Sequence, residues 1–162
     1  MHTDCLVKAG HHIEADTWAE LHYELEIVIA RLVAHGRAFM IIRADTPEDA
    51  FVQVGLSADG VFRVEAPVGL LKPCCGRRHP LADEQTLQLL RLGWRPPNTS
   101  DDPAMDRPLW WREVDPRWTV PEMLFSELLV RTLVDVFGVS TPQSLEATFG
   151  CMPVAGGFTR DL

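Results

Sequence analysis

Apolar residues recur at Trp18, Leu21, Leu25, Ile29 and Leu32, the spacing that lines one face of an α-helix. Between them stand Glu20, Glu24, Glu26 and Arg31, so the predicted helix is amphipathic. Both of its ends are marked. Thr17 caps the start while Glu20 reaches back to it, a capping box, and Gly36 suits a left-handed helix end. The pattern then changes period. Ala38 to Ile42 is a continuous apolar run, as in a strand covered on both faces. Phe51 to Leu56 is a second run, and Ser57 to Gly60 reads as a turn. In the third run, Val61 to Glu65, Phe62 and Val64 alternate with Arg63 and Glu65, which leaves one face wet. The short connections predict a three-stranded antiparallel meander.

Leu71 to Pro80 follows as a cysteine-rich loop, and then a helix from about 83 to 92 carries Leu87, Leu89 and Leu90. Gly93 ends it, and Pro96 and Pro97 forbid its resumption. A long polar loop leads to an aromatic strand, Pro108 to Val114. The last predicted helix opens on Thr119 and Glu122 as a second capping box, with Pro121 early, where its missing N–H costs nothing. Leu124, Leu128 and Val136, with the Phe125, Leu129, Leu133 row, make a wide apolar face that stops at Gly138. One short helical turn is expected in the following stretch. The order of elements predicts an α+β fold: a helix, a three-stranded antiparallel meander, a helix, further strand, and a C-terminal helix, with the helices packed on a mostly antiparallel sheet. Residues 1–15 read as a flexible N-terminal arm, 16–150 as a single domain and 151–162 as a mobile tail.

With 162 residues, 46% hydrophobic and 23% charged, the chain is long enough to bury a core without staples. A formal net charge of −8 repels phosphate backbones and anionic lipid, which argues against nucleic acid and membrane partners. No apolar run reaches the roughly 20 residues that span a bilayer, and the first residues lack the apolar core of a signal peptide. Cytoplasmic residence is therefore expected, where Cys5, Cys74, Cys75 and Cys151 stay reduced.

The loop LKPCCGRRHP concentrates the reactive residue types. Cys74, Cys75 and His79 offer three ligands or a thiol site, with Arg77 and Arg78 alongside. Zinc sites, however, space thiols as C-x₂₋₄-C, and redox pairs as C-x-x-C. The plainer reading is a loop kinked by Pro73, Gly76 and Pro80. There is no G-x-S-x-G elbow, no calcium-loop array of carboxylates, and no spacing that pairs His22 or His35 with an acid. The chain thus predicts no catalytic residue, no cofactor and no resident metal.

Five tryptophans are many for this length. Trp110 and Trp111 are neighbours on a strand and must point to opposite faces, so one is expected in the core and the other either toward solvent, a groove or a partner, or buried under the long polar loop. Phe62, Trp94, Trp110 and Trp111 are the candidate lining of a partner-binding groove between the sheet and a helix. A second reading makes Cys74, Cys75 and His79 a metal- or thiol-dependent site. A third makes the aromatic strand the self-contact of a homodimer.

Several pieces occur in a telling order: Trp18-x₂-Leu21, FVQVG at 51–55, VFRVE at 61–65, LGW-x-PPN at 92–98, WREV at 111–114 and LLVRTLVDVFGVSTPQSL at 128–145. Over about residues 16–146 the chain resembles the actinobacterial proteins grouped with YbjN and the type III secretion chaperones, the TY-Chap peptide-binding chaperone-like group. The resemblance implies a helix–sheet–helix fold that often dimerises and binds extended or helical segments of a protein or peptide client. No catalytic residues come with it. The CCGRRH loop lies outside that pattern.

Overall fold

Thr17 Oγ1 accepts the backbone N–H of Glu20 at 3.2 Å, and Glu20 Oε2 accepts the N–H groups of Asp16 and Thr17 at 2.7 and 3.3 Å. This reciprocal box opens α1, Trp18–His35, and Gly36 closes it at φ 78° with its N–H on the Leu32 carbonyl. Removing the cap by Thr17→Ala is expected to cost about 1 kcal/mol. Urea unfolding checks this as a lower midpoint at unchanged slope.

The computed structural model describes residues 8–36, 38–56, 60–98 and 108–151. Its strands are β1 (Lys8–His12), β2 (Ala38–Ala44), β3 (Phe51–Leu56), β4 (Phe62–Ala66), β5 (Gly69–Lys72), β6 (Arg77–Pro80), β7 (Trp110–Val114) and β8 (Leu145–Cys151). The further helices are α2 (Asp83–Arg91) and α3 (Pro121–Arg131), the latter continued by a π-helical turn, Thr132–Val136. Six strands form one antiparallel sheet in the order β1-β8-β2-β3-β4-β7, and β5 pairs with β6 alone. The expected α+β class and the β2-β3-β4 meander are therefore present.

Paired residues share a face of a pleated sheet. Phe149, Met40, Val54 and Val64 form one row, and Ala147, Ile42 and Val52 the next. Against these apolar rows pack α1 and α3, which also pack on each other. The opposite face carries Gln53, Glu65 and Trp111 in one row. There the Gln53 amide donates to the Glu65 carboxylate, and Arg63 donates from Nε to Glu113 Oε1 at 2.7 Å. Buried polar groups on this side are thus paired, as burial demands.

Four local expectations meet a different structure. The cysteine-rich loop is a β-hairpin, β5 and β6. Its strands are short and its turn holds the reactive residues, so no apolar alternation announced it. The box at Thr119 does not form: Val120 is the cap of α3, and the Thr119 N–H is taken by the Asp115 carbonyl at 3.1 Å. Pro121 does occupy the first turn of α3 as expected. The expected short helical turn is present as a 3₁₀ turn, Pro142–Ser144, but the chain that follows it, expected to stay irregular, enters the middle of the sheet as β8. Gly150 suits that position, since a Cβ there would come 2.5 Å from the Phe39 ring across the ladder. Finally, Lys8–His12 pairs with β8, inside the stretch read as an arm. Beyond Cys151, the expected tail falls outside the described residues.

Candidate functional site

The four aromatic residues expected to line a groove lie in the interior. Phe62 is 0% exposed, and its ring stacks on Phe125 of α3 with centroids 5.8 Å apart and planes at 23°. Trp94 is buried, and its Nε1 donates to Thr132 Oγ1 at 2.9 Å. It therefore staples the end of α2 to the π-helical turn after α3. Trp110 joins the core cluster on the helix face. Trp111 turns to the far face, as its neighbour's orientation requires, yet is buried as well. The segment after α2 closes over it: Arg95 pairs with its backbone, the Arg95 guanidinium sits 5.0 Å from its ring centroid, and its Nε1 donates to the Pro96 carbonyl at 3.2 Å. None of the four offers a surface to a partner in this conformation, so an accessible binding surface has to be sought elsewhere.

One accessible concave surface lies between α1 and strands β8 and β2 of the sheet. It is a cavity of about 290 Å³, half open, lined by Leu21, Leu25 and Val28 of α1, Met40 of β2, and Ala147 and Phe149 of β8. Ile13, Glu14 and Glu24 complete the lining. The floor is buried, whereas Val28 and Phe149 are half-buried and Glu14 and Glu24 exposed. Sequence reading had placed Leu21 and Leu25 on the apolar face of α1. It missed the groove because Ala147 and Phe149 belong to the unrecognised β8, although Leu145, Ala147 and Phe149 alternate with Glu146, Thr148 and Gly150. That period-2 pattern was the available signal.

Two arrangements resemble catalytic geometry. His22 Nε2 lies 3.3 Å from Ser126 Oγ across the α1–α3 contact, and His22 Nδ1 lies 3.6 Å from Glu26 Oε1. Helical folding thus supplies the acid that the spacing of His22 seemed to lack. Ser126, however, is 0% exposed in mid-helix. No substrate carbonyl reaches its hydroxyl, and the contact satisfies a buried polar group. In the β5–β6 hairpin, Cys74 and Cys75 are exposed free thiols, and Cys75 Sγ lies 3.3 Å from His79 Nε2. Among the described residues, no group of three or more His, Cys, Asp or Glu is placed to hold a metal ion.

A separate exposed apolar patch precedes and opens α3. Trp118 is 82% exposed and Met123 71%, with Val120 between them. Asp115 stiffens the approach: its backbone carbonyl accepts the N–H groups of Trp118 and Thr119, and its carboxylate clasps the Arg117 guanidinium. That guanidinium holds the Asp115 carboxyl below the usual carboxylate range. Trp118 is the most exposed aromatic side chain among the described residues, and it was not among those singled out from the sequence.

Among the described residues, no helix is long and apolar enough to cross a membrane. Compared with known families, residues 11–150 match a family model described as TY-Chap3, T3SS (YopN, CesT) and YbjN peptide-binding chaperone 3. No curated protein and no solved structure matches the chain significantly.

Proposed function

The chain belongs to the TY-Chap3 family of peptide-binding chaperones, and from that premise we propose that it holds apolar segments of a protein client in the groove between α1 and β8. The observation that supports this reading is the groove itself: an apolar floor of Leu21, Leu25, Met40 and Ala147 with carboxylates at its rim. Its size, about 290 Å³, is at the small end of ligand-binding cavities. It takes one or two client side chains, not a folded domain. Each such side chain contributes roughly 1.5–3 kcal/mol on burial, and ordering of the client offsets part of that. The affinity expected is micromolar or weaker, suited to holding and releasing.

Charge gives the groove its preference. Glu14 and Glu24 stand at the rim of a chain with net charge −8, so clients with Lys or Arg flanking the apolar anchors are favoured. The role is non-enzymatic and cytoplasmic. The test is titration of the full chain with labelled peptides carrying two apolar anchors flanked by either basic or acidic residues, followed by NMR of the Met40 methyl group. Saturable binding of the basic series, weakened by salt and accompanied by a shift of the Met40 methyl, is expected. Absence of saturable binding, or a Met40 signal that stays still while the peptide binds, overturns the proposal.

Self-association is the second reading, favoured by a different surface from the aromatic strand first considered. Trp118, Val120 and Met123 present an exposed apolar patch suited to a second copy. Sedimentation is expected to show a dimer for the wild type and a monomer for Trp118→Ala with Met123→Ala. Identical sedimentation of the two proteins removes this reading and leaves the groove untouched.

A further inference from the structure

The turn of the β5–β6 hairpin is held from several sides. The N–H groups of Cys75 and Gly76 donate to the Lys72 carbonyl at 3.2 and 2.9 Å, and Gly76 adopts φ +63°. Leu70 pairs with His79, and Gly69 permits the close approach, since a Cβ there would lie 2.4 Å from the His79 carbonyl oxygen. The hairpin is also tied to the β2–β3 loop. The Leu71 N–H donates to the Glu48 carbonyl at 2.8 Å, and Arg78 pairs with Asp49, which Arg43 also holds. These bonds fix the side chain of Cys75 against that of His79, Sγ to Nε2 at 3.3 Å, on the protein surface. Cys74 is exposed as well, but it is the Cys75 thiol that lies on the imidazole.

A nucleophile and a base within hydrogen-bond reach form the minimal unit of activated thiol chemistry. The geometry points to Cys75 as a site of reversible S-thiolation by a small anionic disulfide of the glutathione type. As Cys75 Sγ attacks one sulfur of the disulfide, His79 Nε2 accepts the thiol proton. A bond forms between Cys75 and that sulfur, and the disulfide's own S–S bond breaks. The other half leaves as a thiolate, which takes the proton from the imidazolium. The Cys75 thiol is oxidised and the departing half reduced, so no further oxidant is required. Exposed Arg77, next to the turn, favours an anionic reagent over a cationic one. Cys74 does not resolve the adduct. Adjacent Cα atoms stand about 3.8 Å apart, short of the roughly 4.4–6.8 Å usual for a disulfide. The mixed disulfide therefore persists until an external thiol removes it.

The test uses the reduced full chain, oxidised glutathione as the reagent, and peptide mass spectrometry to locate the adduct. One glutathionyl group on the peptide that carries Cys75 is expected in the wild type and in Cys74→Ser, with the same peptide unlabelled in Cys75→Ser. His79→Ala is expected to slow the reaction at Cys75 on the order of tenfold or more, with free imidazole restoring part of the rate. Alkylation of Cys74 at an unchanged rate shows that the hairpin survives the substitution. Equal labelling of Cys74 and Cys75, or a His79→Ala variant that reacts at the wild-type rate, overturns the assignment.

Discussion

Phe62→Ala is expected to destabilise the fold by about 3–5 kcal/mol and to leave the peptide affinity of the folded fraction unchanged. Phe62 is fully buried on β4, and its ring rests on Phe125 of α3. Truncation removes the transfer free energy of the ring and leaves a cavity at the junction of sheet and helix, which neighbours on two rigid elements fill only in part. Domains of this size are stable by about 5–15 kcal/mol, so the loss is a large fraction of the whole. Urea unfolding by circular dichroism reads it as a lower midpoint, and peptide titration at low urea reads the affinity. Phe62→Leu, which retains most of the apolar volume, is expected to lose less than half as much. A variant with near wild-type stability and abolished peptide binding would return Phe62 to the role of a lining residue.

The contrast between these outcomes follows from what a sequence can and cannot convey. Along α1 and the meander the elements themselves are a local property: period and caps suffice, and Thr17, Gly36, β2, β3 and β4 stand where the pattern puts them. The burial of the strands is not: β2, read as covered on both faces, alternates buried with half-buried residues, and the face of β4 read as wet is closed over Glu65, whose carboxylate accepts from Gln53. Trp110 and Trp111 show the limit. Alternation required them to face opposite ways, and they do. Whether the outward one meets solvent depended on the segment Arg95–Pro96, which returns across β7 from beyond α2. No local rule states where such a segment lands. β8 shows the same limit differently. Its alternation was present, but Ala147 and Gly150 are small, and only the ladder to β2 and the Phe39 ring opposite explain why. Once β8 occupies the sheet beside β2, the groove along α1 follows. The family was legible from scattered motifs, whereas the binding surface needed the strand that those motifs did not identify.

Val28→Arg is expected to weaken binding of basic peptides by more than about tenfold, at little cost in stability. Val28 lies half-buried at the mouth of the groove on α1, so its replacement disturbs the floor less than a change at Leu25 or Met40. Arginine is a better helix former than valine, which offsets part of the lost packing. Its guanidinium also falls four residues after Glu24, the orientation that favours an ion pair along a helix. That pair draws the new side chain across the opening and neutralises one rim carboxylate, so the substitution obstructs the client's anchors and repels its flanking charges together. The loss corresponds to about 1.4 kcal/mol or more, within what one buried apolar anchor contributes. Steric and electrostatic parts separate in a second variant, Glu14→Lys with Glu24→Lys, which leaves the apolar floor untouched. That protein is expected to exchange its preference and bind the acidic-flanked series over the basic one. If Val28→Arg binds as tightly as wild type, the client rests on another face. If instead the doubly reversed rim keeps its taste for basic peptides, apolar contact alone sets the choice of client.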